Sequence, residues 1–282
     1  MTIIKKGTVK PFLKWAGGKG QLIDEIEKFY PFDKKINKYA EPFIGGGAVL
    51  FALQPENVII NDINSELIGV YQAIKDNVDA LIKRLEQFEN TKECFYDVRG
   101  WDRNAVVYNE LTDIDKAARV IFLNKTCYNG LYRVNSAGEF NTPFGRYKNP
   151  NIVNESTLRA VNEYFNTADV TILNTSYSEA LQGLPENSFV YLDPPYDPIS
   201  VTASFTGYNA GGFNRQDQIA LRDCCRQLDA NGIKFMLSNS ATEFIQDIYS
   251  DFNITIVPAK RAINSVGSKR GCVDEVVVRN YE

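Results

Sequence analysis

The sequence predicts an α/β fold with a helix-rich segment inserted into it, and three observations carry that prediction. Short apolar runs with strand character alternate with helical patterns in the first part of the chain and again in the last. Between them, from about Asp76 to Asn166, the pattern turns helical, aromatic and broken by polar turns. Glycine-rich or acidic segments follow directly on several strand-like runs, where open α/β sheets bind their ligands. The expected division is one unit made of residues 1–75 and 167–282, and an inserted unit of residues 76–166.

Along the chain, Lys19 to Phe29 places Leu22, Ile23, Ile26 and Phe29 at helical spacing. Lys38 to Phe43 reads as a strand, and Ala48 to Leu53 as the apolar start of a helix. Asn57 to Asn61 is a second buried strand. Asp62-Ile63-Asn64-Ser65 then opens a helix to about Lys75, with side chains available to cap it. In the insert, Asn77 to Phe88 and Ile114 to Tyr128 read as helices. Leu131 to Tyr147 alternates around Ser136-Ala137-Gly138, the signature of a hairpin with a short glycine-containing loop. Afterwards Val170 to Asn174, Ser188 to Leu192, Ile233 to Ser238, Asn253 to Val257 and Glu275 to Arg279 read as strands. Gln216 to Leu228 is an amphipathic helix.

Composition excludes several chemistries. The 282 residues include no histidine, so no Ser-His-Asp or Cys-His pair and no His-ligated metal is possible. The five cysteines are odd in number and form no CxxC pair, which points to a reduced, cytoplasmic protein. No apolar run reaches the length of a membrane span, and the basic segment Met1 to Lys10 lacks the apolar core of a secretory signal. The net charge of −4 argues weakly against a polyanionic partner. Two stretches run the other way. Lys116, Arg119, Lys125, Arg133, Arg146 and Lys148 face Glu139 alone, and Lys260, Arg261, Lys269 and Arg270 face no acid. Such patches allow nucleic acid to bind on one face, although solvated surface charge would read the same way.

The sharpest motif is Asp193-Pro194-Pro195-Tyr196, directly after the apolar run Ser188 to Leu192. Two prolines fix the backbone and remove donors, so the strand stops in a rigid turn. That turn presents a carboxylate, a proline carbonyl and a flat ring. Together they suit a planar base bearing an amino group, with two acceptors for its hydrogens and a face to stack on. The bland alternative is a surface turn.

A second motif, Glu41-Pro42-Phe43-Ile44-Gly45-Gly46-Gly47, lies between a strand and a helix. It is not a GxGxxG loop, because Leu50 stands where the last glycine belongs, and Gly18-Lys19 is not a Walker loop, because Leu13 stands at the required glycine and Gly20 follows the lysine. Asp62 at the end of the next strand is placed like an acid that holds ribose hydroxyls. A glycine turn followed one strand later by an acid suggests an adenosine ligand without a pyrophosphate. S-adenosylmethionine fits, since its cationic groups would favour Glu41 and Asp193. The alternative is a βα loop that binds nothing.

Phe12-Leu13-Lys14-Trp15-Ala16-Gly17-Gly18-Lys19, the glycine turn, Asn61-Asp62-Ile63-Asn64 and Asp193-Pro194-Pro195-Tyr196 occur in an order that resembles the Dam-type, α-group DNA adenine-N6 methyltransferases. The insert adds Tyr128 to Asn135 and Gly138 to Tyr147, which look like the hairpin of the members that methylate GATC. The closest likeness is to the methylases of restriction-modification systems. The similarity runs from about Pro11 to Tyr281.

The resemblance implies a Rossmann-like, S-adenosylmethionine-dependent methyltransferase sheet with an inserted target-recognition domain. It implies methyl transfer to N6 of a flipped adenine in duplex DNA, leaving S-adenosylhomocysteine, without a metal or a covalent intermediate. Asp193, Pro194 and Tyr196 would be catalytic. Trp15, Lys19, Asp62, Ile63, Ser176, Tyr177 and Asp193 would hold the cofactor, beside Glu41, Phe43, Gly45 and Gly47 of the glycine turn. Arg133 would read guanine, with Tyr128, Asn129, Leu131 and Pro143 flanking or wedging the site; without the resemblance, Arg133 reads as a support of the hairpin. Lys260 and Arg261 would add charge toward DNA. Three rivals remain: an RNA or protein amino-group methyltransferase, a silent DNA-binding protein, and a nucleotide-binding metabolic enzyme. A monomer is expected, with a cognate endonuclease acting separately if there is one.

Overall fold

A computed structural model of the chain describes residues 2–3, 9–20, 22–31, 35–199, 212–260 and 272–282. Among the described residues seven strands form one sheet: β1 (Lys38–Glu41), β2 (Asn57–Asn61), β3 (Asp169–Leu173), β4 (Ser188–Leu192), β5 (Lys234–Ser240), β6 (Asn253–Lys260) and β7 (Cys272–Arg279). Their order is β3-β2-β1-β4-β5-β7-β6. β1 to β5 are mutually parallel, and β7 runs antiparallel between β5 and β6. The chain moves outward from β1 through β2 to β3, then returns to β4 on the other side of β1. The gap between β1 and β4 is therefore the topological switch point, where ligands bind in such sheets.

Helices cover both faces: α1 (Ile23–Ile26), α2 (Ala48–Leu53), α3 (Ser65–Leu85), α4 (Lys92–Gly100), α5 (Ala105–Glu110), α6 (Asp113–Thr126), α7 (Glu155–Thr167), α8 (Tyr177–Ala180), α9 (Arg215–Ala230) and α10 (Glu243–Ile248). β4 shows why the sheet must be covered twice. All five of its residues are buried; Phe189 and Tyr191 enter one apolar cluster while Val190 and Leu192 enter the other. That is the two-residue period of a strand read against two cores. The first cluster holds α2, α3, α6 and α7, and the second holds α9 and α10. Helices α4 and α6, between β2 and β3 in the chain, thus share an apolar cluster with one face of the sheet.

Ala48–Leu53, Asn57–Asn61 and Ser188–Leu192 match the sequence expectation residue for residue. Elsewhere the boundaries move. The first helix begins at Ile23 and passes into a 3-10 turn at Glu27, rather than running from Lys19. The expected helices on either side of Asp76 are one element, α3, bent at Asn77 where φ is −152° and ψ is 58°. The hairpin closes at its tip, where Asn135 N–H donates to Glu139 O at 2.9 Å and Val134 bridges Phe140. Its arms do not form regular strands, because side chains take the backbone groups. Asn135 Oδ1 accepts from the N–H groups of Ala137 and Glu139, and Thr142 Oγ1 donates to Leu131 O.

Candidate active site at the carboxyl edge of the sheet

The C-terminal ends of β1, β2, β3 and β4 lie side by side, and each carries one of the motif residues. Asn61, buried at the end of β2, staples three of these loops together. Its Nδ2 donates to Pro42 O at 3.0 Å and to Thr175 O at 3.1 Å, while its Oδ1 accepts from Thr175 N–H at 2.9 Å. Asp62 follows. Its carboxylate accepts from Gly45 N–H at 3.1 Å and from Asn64 N–H at 3.0 Å, tying the glycine turn to the start of α3. Burial raises the Asp62 carboxyl above the ordinary carboxylate range, against the pull of these backbone donors.

Glycine is required at the turn. Gly47 is the N-cap of α2 at φ +69°, and a Cβ there would lie 2.8 Å from both Phe51 Cε2 and Tyr71 Oη. Trp15 packs against the same turn. Its Cδ1 would stand 3.1 Å from a Cβ on Gly45, and its ring stacks on Tyr132 with centroids 4.8 Å apart.

Asp193 emerges from β4 next to β1. The Lys19 ammonium lies 2.6 Å from its Oδ1, donates to Gly17 O at 2.6 Å and sits 4.7 Å from the centre of the Tyr196 ring. Tyr196 Oη donates to Glu275 Oε2 at 2.7 Å. Burial pushes the Asp193 carboxyl up to about 6, the Lys19 ammonium pulling it down and Glu275 adding to the rise. The Asp193 side chain is still one-fifth exposed, so it remains approachable from the cleft. Glu41, fully buried at the end of β1, accepts from Tyr39 Oη at 2.8 Å. Its carboxyl is held well above the carboxylate range, chiefly by burial and also by the nearby Asp193 charge.

These residues fit S-adenosylmethionine by their donor set. Asp62 has carboxylate lone pairs beyond its two backbone partners, enough to take a ribose diol. Ile63 is 57 % exposed beside it, and the Phe43 and Tyr177 rings stand 5.2 Å apart, giving apolar surfaces for a purine. Glu41 and Asp193, both raised by burial, form an acidic lining that a sulfonium and an ammonium would relieve. Ser176, expected to touch the cofactor, spends its hydroxyl on the N-terminus of α8, in a reciprocal pair with Glu179.

Between α6 and α7, Tyr128 is 58 % exposed and Asn129 and Pro143 are exposed; Leu131 is half-buried. The loop carrying them is tied across by Tyr128 N–H to Pro143 O at 2.8 Å. Asn129 adopts the left-handed conformation at φ +58°. Arg133 is exposed and donates Nε to Asn141 Oδ1 at 2.7 Å, which orients its two terminal nitrogens as a fork. Arg119 differs from its reading as a surface charge: it is 2 % exposed, on α6. Lys260 ends β6, its side chain outside the description, and Arg261 lies outside the described residues.

Two positioning groups escaped the sequence reading. Asn124, 1 % exposed on α6, exchanges hydrogen bonds with both backbone groups of Lys14 at 3.0 and 2.8 Å, and donates to Gly130 O at 3.0 Å. It joins the Trp15 segment to the loop of Tyr128. Behind the Asp193 turn, Gln218 Nε2 donates to Pro195 O at 2.8 Å and Asn239 Oδ1 accepts from Asp197 N–H at 3.0 Å. Asn239 also donates to Gln218, so the peptide groups on both sides of Tyr196 are clamped by one amide pair. A buried amide in an apolar pattern, such as Gln218 in α9, was the available signal.

The family described as D12 class N6 adenine-specific DNA methyltransferase matches residues 15–263. Type II methyltransferase M1.LlaDCHI of Lactococcus lactis subsp. cremoris is 42 % identical over 285 residues, covering 100 % of this chain and 99 % of the relative. Type II methyltransferase M.MjaIII of Methanocaldococcus jannaschii is 46 % identical over 292 residues, covering 97 % and 99 %. The DNA adenine methylase of Escherichia coli K12 is 33 % identical over 277 residues, covering 95 % and 94 %.

Proposed function

This chain belongs to the D12 class of N6 adenine-specific DNA methyltransferases, and from that premise we propose that it methylates adenine within GATC in duplex DNA after flipping the base out of the stack. The observation that supports this most is the Asp193 carboxylate beside the Tyr196 ring at the β1/β4 switch point. An adenine inside a duplex cannot reach that cleft without leaving its stack. Residues 76–166 act as the recognition unit, and residues 1–75 and 167–282 carry the chemistry. The placement of recognition within GATC rests on the resemblance of Tyr128 to Asn135 and Gly138 to Tyr147.

S-adenosylmethionine, which the family implies, supplies the electrophilic methyl group when bound. Asp62 holds its ribose, Ile63, Phe43 and Tyr177 flank its adenine, and Trp15, Lys19 and Glu41 line its methionine end. Tyr196 stacks on the flipped base, its hydroxyl anchored by Glu275. The Asp193 carboxylate and the Pro194 carbonyl each accept one hydrogen from N6. Two acceptors on those hydrogens favour the pyramidal amine, which frees a lone pair otherwise delocalised into the ring. Positioning and preorganised charge then lower the barrier. The proton that N6 loses after transfer passes to the Asp193 carboxylate, whose affinity for a proton is already raised by burial.

The Arg133 fork reads guanine O6 and N7 in the major groove. Tyr128, Asn129, Leu131 and Pro143 wedge or flank the opened site. The Type II names of the two relatives above support a modification role with an endonuclease acting separately, and one chain suffices for the reading. Methyl transfer to a duplex holding one GATC, beside duplexes with each base of the site changed in turn, tests this reading. Transfer confined to the intact site supports it; equal transfer to all discards the recognition claim.

A further inference from the structure

The insert buries a charge cluster that the chemistry above does not use. Arg119 on α6 is 2 % exposed. Its Nε donates to Val98 O at 3.1 Å and its Nη2 to Arg99 O at 3.2 Å, capping carbonyls at the end of α4. Its Nη2 also lies 2.5 Å from Asp102 Oδ2, and its Nη1 lies 3.4 Å from Glu66 Oε2. Tyr108 donates to the other Glu66 oxygen and faces the guanidinium, 5.6 Å from its ring centre.

The two acids lead to different places. Glu66 is in the first turn of α3, four residues after Asp62 and two beyond the Asn64 cap that the Asp62 carboxylate holds. Asp102 Oδ2 accepts the Phe140 N–H at 2.7 Å. The Phe140 carbonyl is taken by Arg103 at 2.6 Å and Arg99 at 3.1 Å. Phe140 is therefore held at both backbone groups, on the hairpin arm opposite Val134. Its neighbour Asn141 bonds Arg133 twice, N–H to Arg133 O at 2.9 Å and Oδ1 from Arg133 Nε at 2.7 Å. A chain of polar contacts runs from Glu66 through Arg119, Asp102 and the Phe140–Asn141 segment to the Arg133 fork, and the first turn of α3 joins Glu66 to the Asp62 loop.

Burying a guanidinium among carboxylates is a poor route to stability, since desolvation offsets much of the attraction. What it supplies is a single geometry: a planar donor with fixed angles allows few arrangements of four partners. We propose that Arg119 is a positioning residue for sequence discrimination, holding the Arg133 hairpin in register with the cofactor-side end of α3. This rests on the reading of Arg133 as the guanine contact.

The test compares wild type, Arg133→Ala, Asp102→Asn and Arg119→Lys for methyl transfer on the intact duplex and on one changed at the base Arg133 reads. Binding of S-adenosylmethionine without DNA and thermal melting are measured alongside. Asp102→Asn keeps an oxygen for Phe140 but removes the charge facing Arg119 and Arg103; Arg119→Lys leaves the charge facing Arg103 in place and loses only the Arg119 fork. Both are expected to reduce discrimination about tenfold while cofactor affinity stays within about twofold. Loss of rate by the same factor on both duplexes, or unchanged discrimination in Asp102→Asn, overturns the proposal. If Arg119→Lys does not fold, Asp102→Asn decides alone. If Arg133→Ala itself leaves discrimination intact, the reading of the hairpin fails first; if only Arg133→Ala relaxes it, that reading stands and Arg119 is a purely structural residue.

Discussion

The Lys19 ammonium lies 2.6 Å from Asp193 Oδ1 and 4.7 Å from the centre of the Tyr196 ring, so one cation touches both groups proposed to receive the base. Burial pushes the Asp193 carboxyl up to about 6, and Lys19 opposes that rise. The pair sets the pH at which a carboxylate acceptor exists.

The rate should therefore fall on the acid side with Asp193. Since the acceptor form is the anion and its carboxyl is raised to about 6, kcat/KM should be level above that pH and decline as pH drops through it. An ordinary aspartate would place the decline about two units lower. Lys19→Met removes the group that lowers Asp193, so the decline should move to higher pH. A pH profile of labelled methyl transfer for both proteins checks this; an unmoved acid limb in Lys19→Met would detach Asp193 from the profile.

Asp62 joins the glycine turn to the start of α3 and is the proposed ribose ligand. Asp62→Ala should weaken S-adenosylmethionine binding roughly 10- to 100-fold, the loss expected for hydrogen bonds to a charged group. Titration calorimetry without DNA measures this directly. Binding within twofold of wild type would move the ribose elsewhere.

Arg133 is exposed, with its Nε committed to Asn141. Arg133→Ala should lower discrimination at one base by roughly 1–3 kcal/mol while other positions keep theirs. Competition between intact and singly changed duplexes reads the difference. Uniform weakening on every sequence would identify a phosphate contact instead.

The candidate site at the sheet edge was legible because it is local. A five-residue strand with four apolar residues followed by Asp-Pro-Pro-Tyr, and NVIIN followed by an acid, announce both the element and the side chain at its tip. What was missed is pairing across long stretches of chain. Asn124 meets Lys14 across 110 residues, and Asn239 meets Gln218 from another element; no periodicity encodes such amide contacts. Arg119 misled for the same reason, since a charge in a basic stretch gives no sign of acids folded around it. The helices α4 and α5 are short and partly exposed, which blunts their pattern. α7 did carry one, with Leu158, Val161, Tyr164 and Phe165 on its buried face. The place of β7 between β5 and β6 depends on a crossing that strand patterns do not contain.

The most direct measurement is the identity of the modified nucleoside after methyl transfer to a duplex with one GATC, for wild type and for Asp193→Ala. Wild type should yield N6-methyladenine at that adenine alone. Asp193→Ala should bind S-adenosylmethionine yet transfer roughly 100- to 1000-fold more slowly, the loss typical of one preorganised polar group at a reacting centre. N6-methyladenine formed at an undiminished rate by Asp193→Ala, or a methyl group found on another base, would contradict the assignment of the Asp193 turn as the seat of the reaction.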